Sequence, residues 1–223
     1  MKKLGILLSP VLVLLFFGPQ VYADNTDNVQ TKPKENFSVQ IYDPNTGLTE
    51  QVELNNNFKI TKKELNPFEK KAQGYSLAFY SDEKIYTETL EVSLGEELAE
   101  SFGIALLASD SGSNTKYSDV NVTAGLTYGS KASNNTVIIY NAFGSTVNKG
   151  LYYVSNRAFY WRNPWAGTGG PSNPTTASWN YSVTDYWAGY VSQTPPYAIT
   201  DATVSVSGMS ATRTISAQFN LTF

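Results

Sequence analysis

The sequence predicts a mainly β protein, an antiparallel β-sandwich or open barrel, with one short amphipathic helix near residues 94–108. Three observations predict it. Apolar and polar residues alternate in run after run, which is the period of a half-buried strand. Turn-forming residues separate those runs at spacings typical of antiparallel sheets. Aromatic residues make up 13% of the chain, with 15 Tyr, a composition suited to pleated surfaces.

The chain opens on an address. Lys2 and Lys3 precede an apolar stretch from Leu4 to Phe17, and small residues lead to Val21-Tyr22-Ala23. This is the pattern of a secretory signal peptide, with cleavage expected after Ala23 and a secreted, extracellular product. The apolar stretch falls short of the roughly 20 residues a spanning helix needs. No Cys follows it, so a lipid-anchored N-terminus is excluded. Residues 24–36 are polar, contain Pro33 and form an expected flexible lead-in, because they offer too little apolar surface to offset ordering.

Phe37, Val39 and Ile41 alternate, as do Val52 and Leu54, and Asp43-Pro44-Asn45-Thr46-Gly47 lies between the two runs, which predicts a hairpin. The loop is read as a turn, because its Gly falls one position early for a calcium loop and the twelfth place lacks Glu. Residues 58–73 are charged and contain Pro67, so they read as a connection. Strands are expected over 75–80 and 85–92. Ser93 and Glu96 then form a capping-box pattern, with Leu94, Leu98, Phe102 and Leu106 at four-residue spacing. The Ser/Gly/Asn segment 109–116 is the expected boundary between lobes. Beyond it, strands are predicted at 120–128, 137–140, 151–161, 179–183, 204–206 and 215–223. Five Asn-x-Ser/Thr triplets read as composition beside a bacterial-looking leader.

Charge suggests how these elements group. Residues 24–116 hold 16 acidic and 9 basic side chains, a net −7, whereas residues 117–223 hold 3 acidic and 5 basic, a net +2. The split fits an acidic lobe over 37–110 and an aromatic β-sandwich lobe over 117–223, or one continuous domain over 37–223. The mature total of −5 argues against a nucleic-acid partner.

The same composition limits the chemistry. With neither His nor Cys there is no imidazole base, thiol nucleophile, disulfide or zinc-thiolate site. Ser113-Asn-Thr-Lys116 and Thr146-Val-Asn-Lys149 fit a Ser/Thr-x-x-Lys spacing, but neither opens a helical pattern and no Lys-Thr-Gly triplet accompanies them. A glycosidase needs two carboxylates flanking one groove, and the aromatic half offers only Asp119, Asp185 and Asp201. No catalytic residue, cofactor or metal is therefore expected, and the protein is read as a non-enzyme.

Aromatic density is the strongest local anomaly. Twelve aromatic residues fall within the 46 positions from Tyr152 to Tyr197, all four Trp among them. Trp161, Arg162, Trp165, Trp179 and Trp187 are the candidate ligand-binding residues. Flat indoles beside Asn and Arg suit stacking on sugar rings, and also suit a membrane interface. The expected function is a secreted, non-catalytic binding protein for cell-surface glycan or another surface ligand. Three alternatives remain: a membrane-active, bacteriocin-like toxin, an outer-membrane β-barrel suggested by the alternating C-terminal strand, and a carboxylate-dependent glycoside hydrolase.

Overall fold

A computed structural model describes residues 37–53, 57–65, 83–104, 118–183, 185–190 and 194–222. The leader, the lead-in, the expected strand at 75–80 and the expected lobe boundary at 109–116 lie outside the described residues.

Twelve strands and one helix follow in order: β1 (Phe37–Asp43), β2 (Leu48–Gln51), β3 (Phe58–Glu64), β4 (Glu83–Leu94), α1 (Glu96–Ser101), β5 (Val120–Lys131), β6 (Thr136–Asn148), β7 (Tyr152–Asn163), β8 (Thr168–Ser172), β9 (Ser178–Ser182), β10 (Ala188–Gly189), β11 (Tyr197–Val206) and β12 (Thr212–Asn220). The first sheet runs β2-β1-β12-β11-β7-β8. The second runs β10-β6-β5-β4-β3, with β9 sharing the outer side of β6. All pairings are antiparallel, and the two sheets stay separate, so the fold is a β-sandwich and not a closed barrel.

Alternation builds the core. Val39 and Ile41, Ala198 to Val206 at every second position, and Ile215 to Leu221 likewise face inward from the first sheet. Leu90, Val92 and Leu94 on β4, and Val120 to Tyr128 at every second position on β5, meet them from the second. Strands from the acidic stretch are dealt to both sheets, and one buried cluster contains residues from both halves of the chain. All described residues fall within a single compact unit.

Polar groups also tie the layers. Thr200 Oγ1 on β11 donates to the Thr123 carbonyl of the opposite sheet at 2.7 Å. That approach requires Gly144, where a Cβ would lie 2.6 Å from Thr200 Oγ1 and 2.8 Å from Thr123 O. A bulge sets Asn156 and Arg157 opposite Ala202, with Asn156 at φ 46°, and Arg157 Nε reaches Thr146 Oγ1 at 2.7 Å.

Three expectations change. Residues 58–64, read as a connection, form β3: its Lys-rich sequence suits an edge strand paired on one side only, where charge also discourages further pairing. The Gly/Pro segment 168–172, which the sequence reads as a loop between the predicted strands at 151–161 and 179–183, forms β8, and Pro171 is tolerated because β8 is likewise an edge. The helix is shorter than 94–108: Leu94 belongs to β4, α1 ends at Ser101, and residues 105–108 are outside the described set. Its N-cap is Gly95 with no side-chain cap, and Ser93 instead donates to Asp119.

A six-residue helix cannot hold itself together in water, so tertiary contacts must do so. Leu98, Ala99 and Phe102 are buried against one end of the sandwich, and the Phe102 ring stacks 6.4 Å from Tyr152. Tyr152 Oη donates to Gly95 O at 3.1 Å. Arg213 donates to the Ser101 carbonyl at the helix C-terminus, lies 4.8 Å from the Phe102 ring centroid, and pairs with Asp43 at 3.1 Å.

Candidate functional site

The end of the sandwich opposite α1 is built differently. β7 runs about 36 Å from Tyr152, beside the helix, to Asn163 at that far end, given ~3.3 Å per residue. Trp161 pairs in register with the buried Ala198, so its indole points inward, half-buried against the core. Asn163 is fully buried on the same side. The intervening Arg162 points outward and is exposed, as is Tyr160 two residues earlier. Cross-strand register sets Tyr197 beside Arg162, and Ile199 beside Tyr160. On the other flank Arg162 faces Gly169 and Tyr160 faces Pro171. On β12, Asn220 and Gln218 extend the two rows, joined by a 2.8 Å amide–amide bond.

The 164–167 turn then carries Trp165. Its backbone N–H donates to Asn163 Oδ1 at 3.3 Å and its indole N–H to the Thr194 carbonyl at 3.0 Å, three residues before Tyr197. The ring is therefore anchored yet remains 38% exposed. Asp185 braces the same end. Its carboxylate accepts from Ile139 N at 2.9 Å, Asn163 Nδ2 at 2.9 Å and Thr168 Oγ1 at 2.8 Å. The β6 side of this brace lies next to the bulge that sets Thr127 and Tyr128 opposite Asn141 and Ile139.

The five residues singled out in the sequence do not share one surface. Trp179, 8% exposed, faces the core opposite Gly144 and packs 5.7 Å from the Phe159 ring. Trp187 covers the outer face of the second sheet, with Lys131 Nζ 4.0 Å above its ring and its Cη2 where a Gly129 side chain would be. Trp161 faces inward. Arg162 and Trp165 remain at the open end, joined by Tyr160 and Tyr197, which the sequence places in the aromatic cluster but not among the candidate ligand-binding residues. The i, i+2 spacing of Tyr160 and Arg162 was the signal that could have found Tyr160, since such residues share a face of any strand, whereas Tyr197 arrives only by strand pairing.

The carboxylates considered for hydrolysis are dispersed. Asp119 accepts from Ser93 Oγ at 3.0 Å and Asn121 Nδ2 at 3.2 Å, with Lys149 at 3.9 Å. It precedes β5, whereas Asp185 braces the region beside Tyr128, roughly 26 Å along that strand. Asp201 points outward from the middle of the first sheet, and burial pushes its carboxyl above the usual range despite a bond from Ser216. A fourth carboxylate was missed because it stands in a strand of the acidic stretch: Glu88 is buried, accepts from Tyr128 Oη at 3.0 Å and lies 3.6 Å from Lys62. Burial, and then the charge of Glu88, push the Tyr128 phenol far up. A groove of about 350 Å³ crosses β3, β4 and β5, lined by Asn57, Lys59, Glu91, Ser93, Asn121 and Thr123 among others.

Among the described residues no group of three side chains is arranged to hold a metal ion, and no helix is long and apolar enough to cross a membrane. No family model, curated protein or solved structure matches this chain.

Proposed function

We propose that this is a secreted, non-catalytic binding protein that holds cell-surface glycan on the outer face of the first sheet, at the end carrying Tyr160, Arg162, Trp165 and Tyr197. The observation that carries the reading is the exposure of Tyr160, Arg162 and Trp165 on paired, hydrogen-bonded elements beside Asn220 and Gln218. Phenol and indole rings give a sugar ring stacking area at low entropic cost, and the guanidinium and amides supply hydrogen bonds to hydroxyls. Trp161 faces inward beneath this platform, whereas Trp179 fills the core and Trp187 covers the second sheet.

The position of β11–β12 favours this reading over a membrane-active one. Its Ser/Thr-rich alternating strands over 202–222 are the segment whose pattern would suit a membrane hairpin, yet β11–β12 occupies the middle of the first sheet, paired to β1 and to β7. Releasing it would expose the core it fills, from Ala198 to Leu221.

Titration with soluble oligosaccharides should change Trp fluorescence, and Trp165→Ala should weaken binding about fivefold or more, as stacking on one aromatic ring is worth roughly 1 kcal/mol or more. Unchanged affinity in both Trp165→Ala and Tyr160→Ala would remove the site. Export is tested separately by the intact mass of protein from the culture medium: a mass that retains residues 1–23 contradicts cleavage after Ala23.

A further inference from the structure

We propose that the Arg162 surface selects negatively charged glycan, a polymer carrying carboxylates on its sugar rings. The inference rests on the glycan reading above and narrows it to a ligand class. Residues 117–223 hold five cations, and four of them are engaged. Lys131 lies over Trp187, Lys149 pairs with Asp119, Arg157 donates to Thr146, and Arg213 pairs with Asp43 and holds the end of α1. Arg162 is the one with no ion pair, hydrogen bond or ring contact among the described residues.

Its surroundings leave it available. At Gly169 the adjoining edge strand has no side chain: a Cβ there would lie 3.1 Å from Arg162 Cγ and 2.8 Å from Trp161 O. The Arg162 stem therefore lies against the bare backbone of Gly169 on one flank, with the Tyr197 position on the other. A planar fork of donors on the same face as Tyr160 and next to Tyr197 in register suits a carboxylate attached to a sugar, with a phenol under the sugar and the fork on the acid.

Local charge agrees, although the mature chain is acidic as a whole. β7, β8, β11 and β12 together contain a single carboxylate, Asp201, whose burial favours its neutral form. Asp185 is the carboxylate bracing this end, and it has all three of its donors on the inner side. Glu50, on β2, is four strand spacings from β7, roughly 19 Å, which is more than two Debye lengths at physiological salt. An anionic membrane is the poorer occupant. Binding to it draws on several clustered Lys or Arg, and this face offers Arg162 alone.

The test compares polygalacturonate, its fully methyl-esterified form and phosphatidylglycerol vesicles, each titrated into the purified protein. The acid polymer should bind about tenfold tighter than the ester, an advantage that shrinks as salt is raised. Arg162→Gln should abolish that advantage without moving the melting temperature, and Arg162→Lys should keep part of it. Equal binding of acid and ester, unaffected by Arg162→Gln, overturns charge selection and leaves the glycan reading standing. Binding of neither polymer overturns both, and binding of vesicles alone assigns the surface to lipid instead.

Discussion

The two ends of the sandwich are closed by different means. At one, α1 lays Leu98 and Phe102 over the core, and Arg213 fastens the helix to the first sheet. At the other, Trp161 and the fully buried Asn163 sit under a carboxylate brace, while Arg162 and Trp165 stay exposed. An apolar plug leaves nothing for a ligand to meet. A polar brace needs only three donors and leaves the neighbouring side chains free to face solvent. The difference teaches that aromatic density alone does not mark a site: Phe102 and Trp179 fill space, whereas Trp165 is presented.

The largest expected effect lies at the helical end. Phe102→Ala should cost about 3–5 kcal/mol, since it empties the contact with Tyr152 and removes the ring beneath Arg213. Urea denaturation reads this, and a loss below about 1 kcal/mol would mean that α1 does not plug the sandwich.

A smaller loss is expected at the braced end. Asp185→Ala strands the Ile139 N–H and the buried Asn163 amide, which should cost roughly 2–3 kcal/mol. Because the brace also positions Trp165 through Asn163, glycan affinity should fall along with stability. Full affinity in a destabilised Asp185→Ala protein would separate the brace from the binding surface.

The smallest effect is a pH dependence that contrasts two carboxyls. The backbone N–H of Asn45 and then, after an opposing effect of burial, the charge of Arg213 hold Asp43, near the helical end, below its ordinary value of 3.8; burial holds Asp201 above the same value. For Asp201 the folded state binds its proton more tightly than the unfolded chain does. Its penalty is therefore absent below pH 3.8, grows as pH rises through the raised folded value, and is constant above it. Asp201→Asn should thus be the more stable protein at pH 7 and equal to the wild type near pH 3. Asp43 works in the opposite sense: its contribution is present above pH 3.8 and is lost as pH falls through its lowered value. Melting curves of Asp201→Asn and wild type across pH 3–7 that stay parallel would contradict the assignment to Asp201.

Most of the strands were legible in the sequence, because alternation is a local property that each strand must carry itself. The runs at Phe37–Ile41, Val120–Tyr128 and Ile215–Leu221 were read correctly for that reason. β3 was not legible, since a one-sided edge tolerates Lys59, Lys62 and Lys63, whose charges read as solvent. β8 was hidden because Gly169, Gly170 and Pro171 break any local preference for a strand, and only the facing β7 holds them extended. The helix was over-extended because its apolar stripe begins in Leu94, the last residue of β4.

Sequence by itself determined the β class, the residues that share a face of each alternating strand, and the exclusions that follow from having no His and no Cys. It also determined that Tyr160 and Arg162 share a face, because side chains alternate at a period of two on any strand. Which face meets water was decided only in three dimensions. Pairing Trp161 with Ala198 turned one indole inward, pairing Trp179 with Gly144 buried another, and Lys131 and Gly129 drew Trp187 onto the opposite sheet. Four tryptophans that look alike along the chain were separated by partners distant in sequence, and burial is a property of those partners as much as of the residue itself.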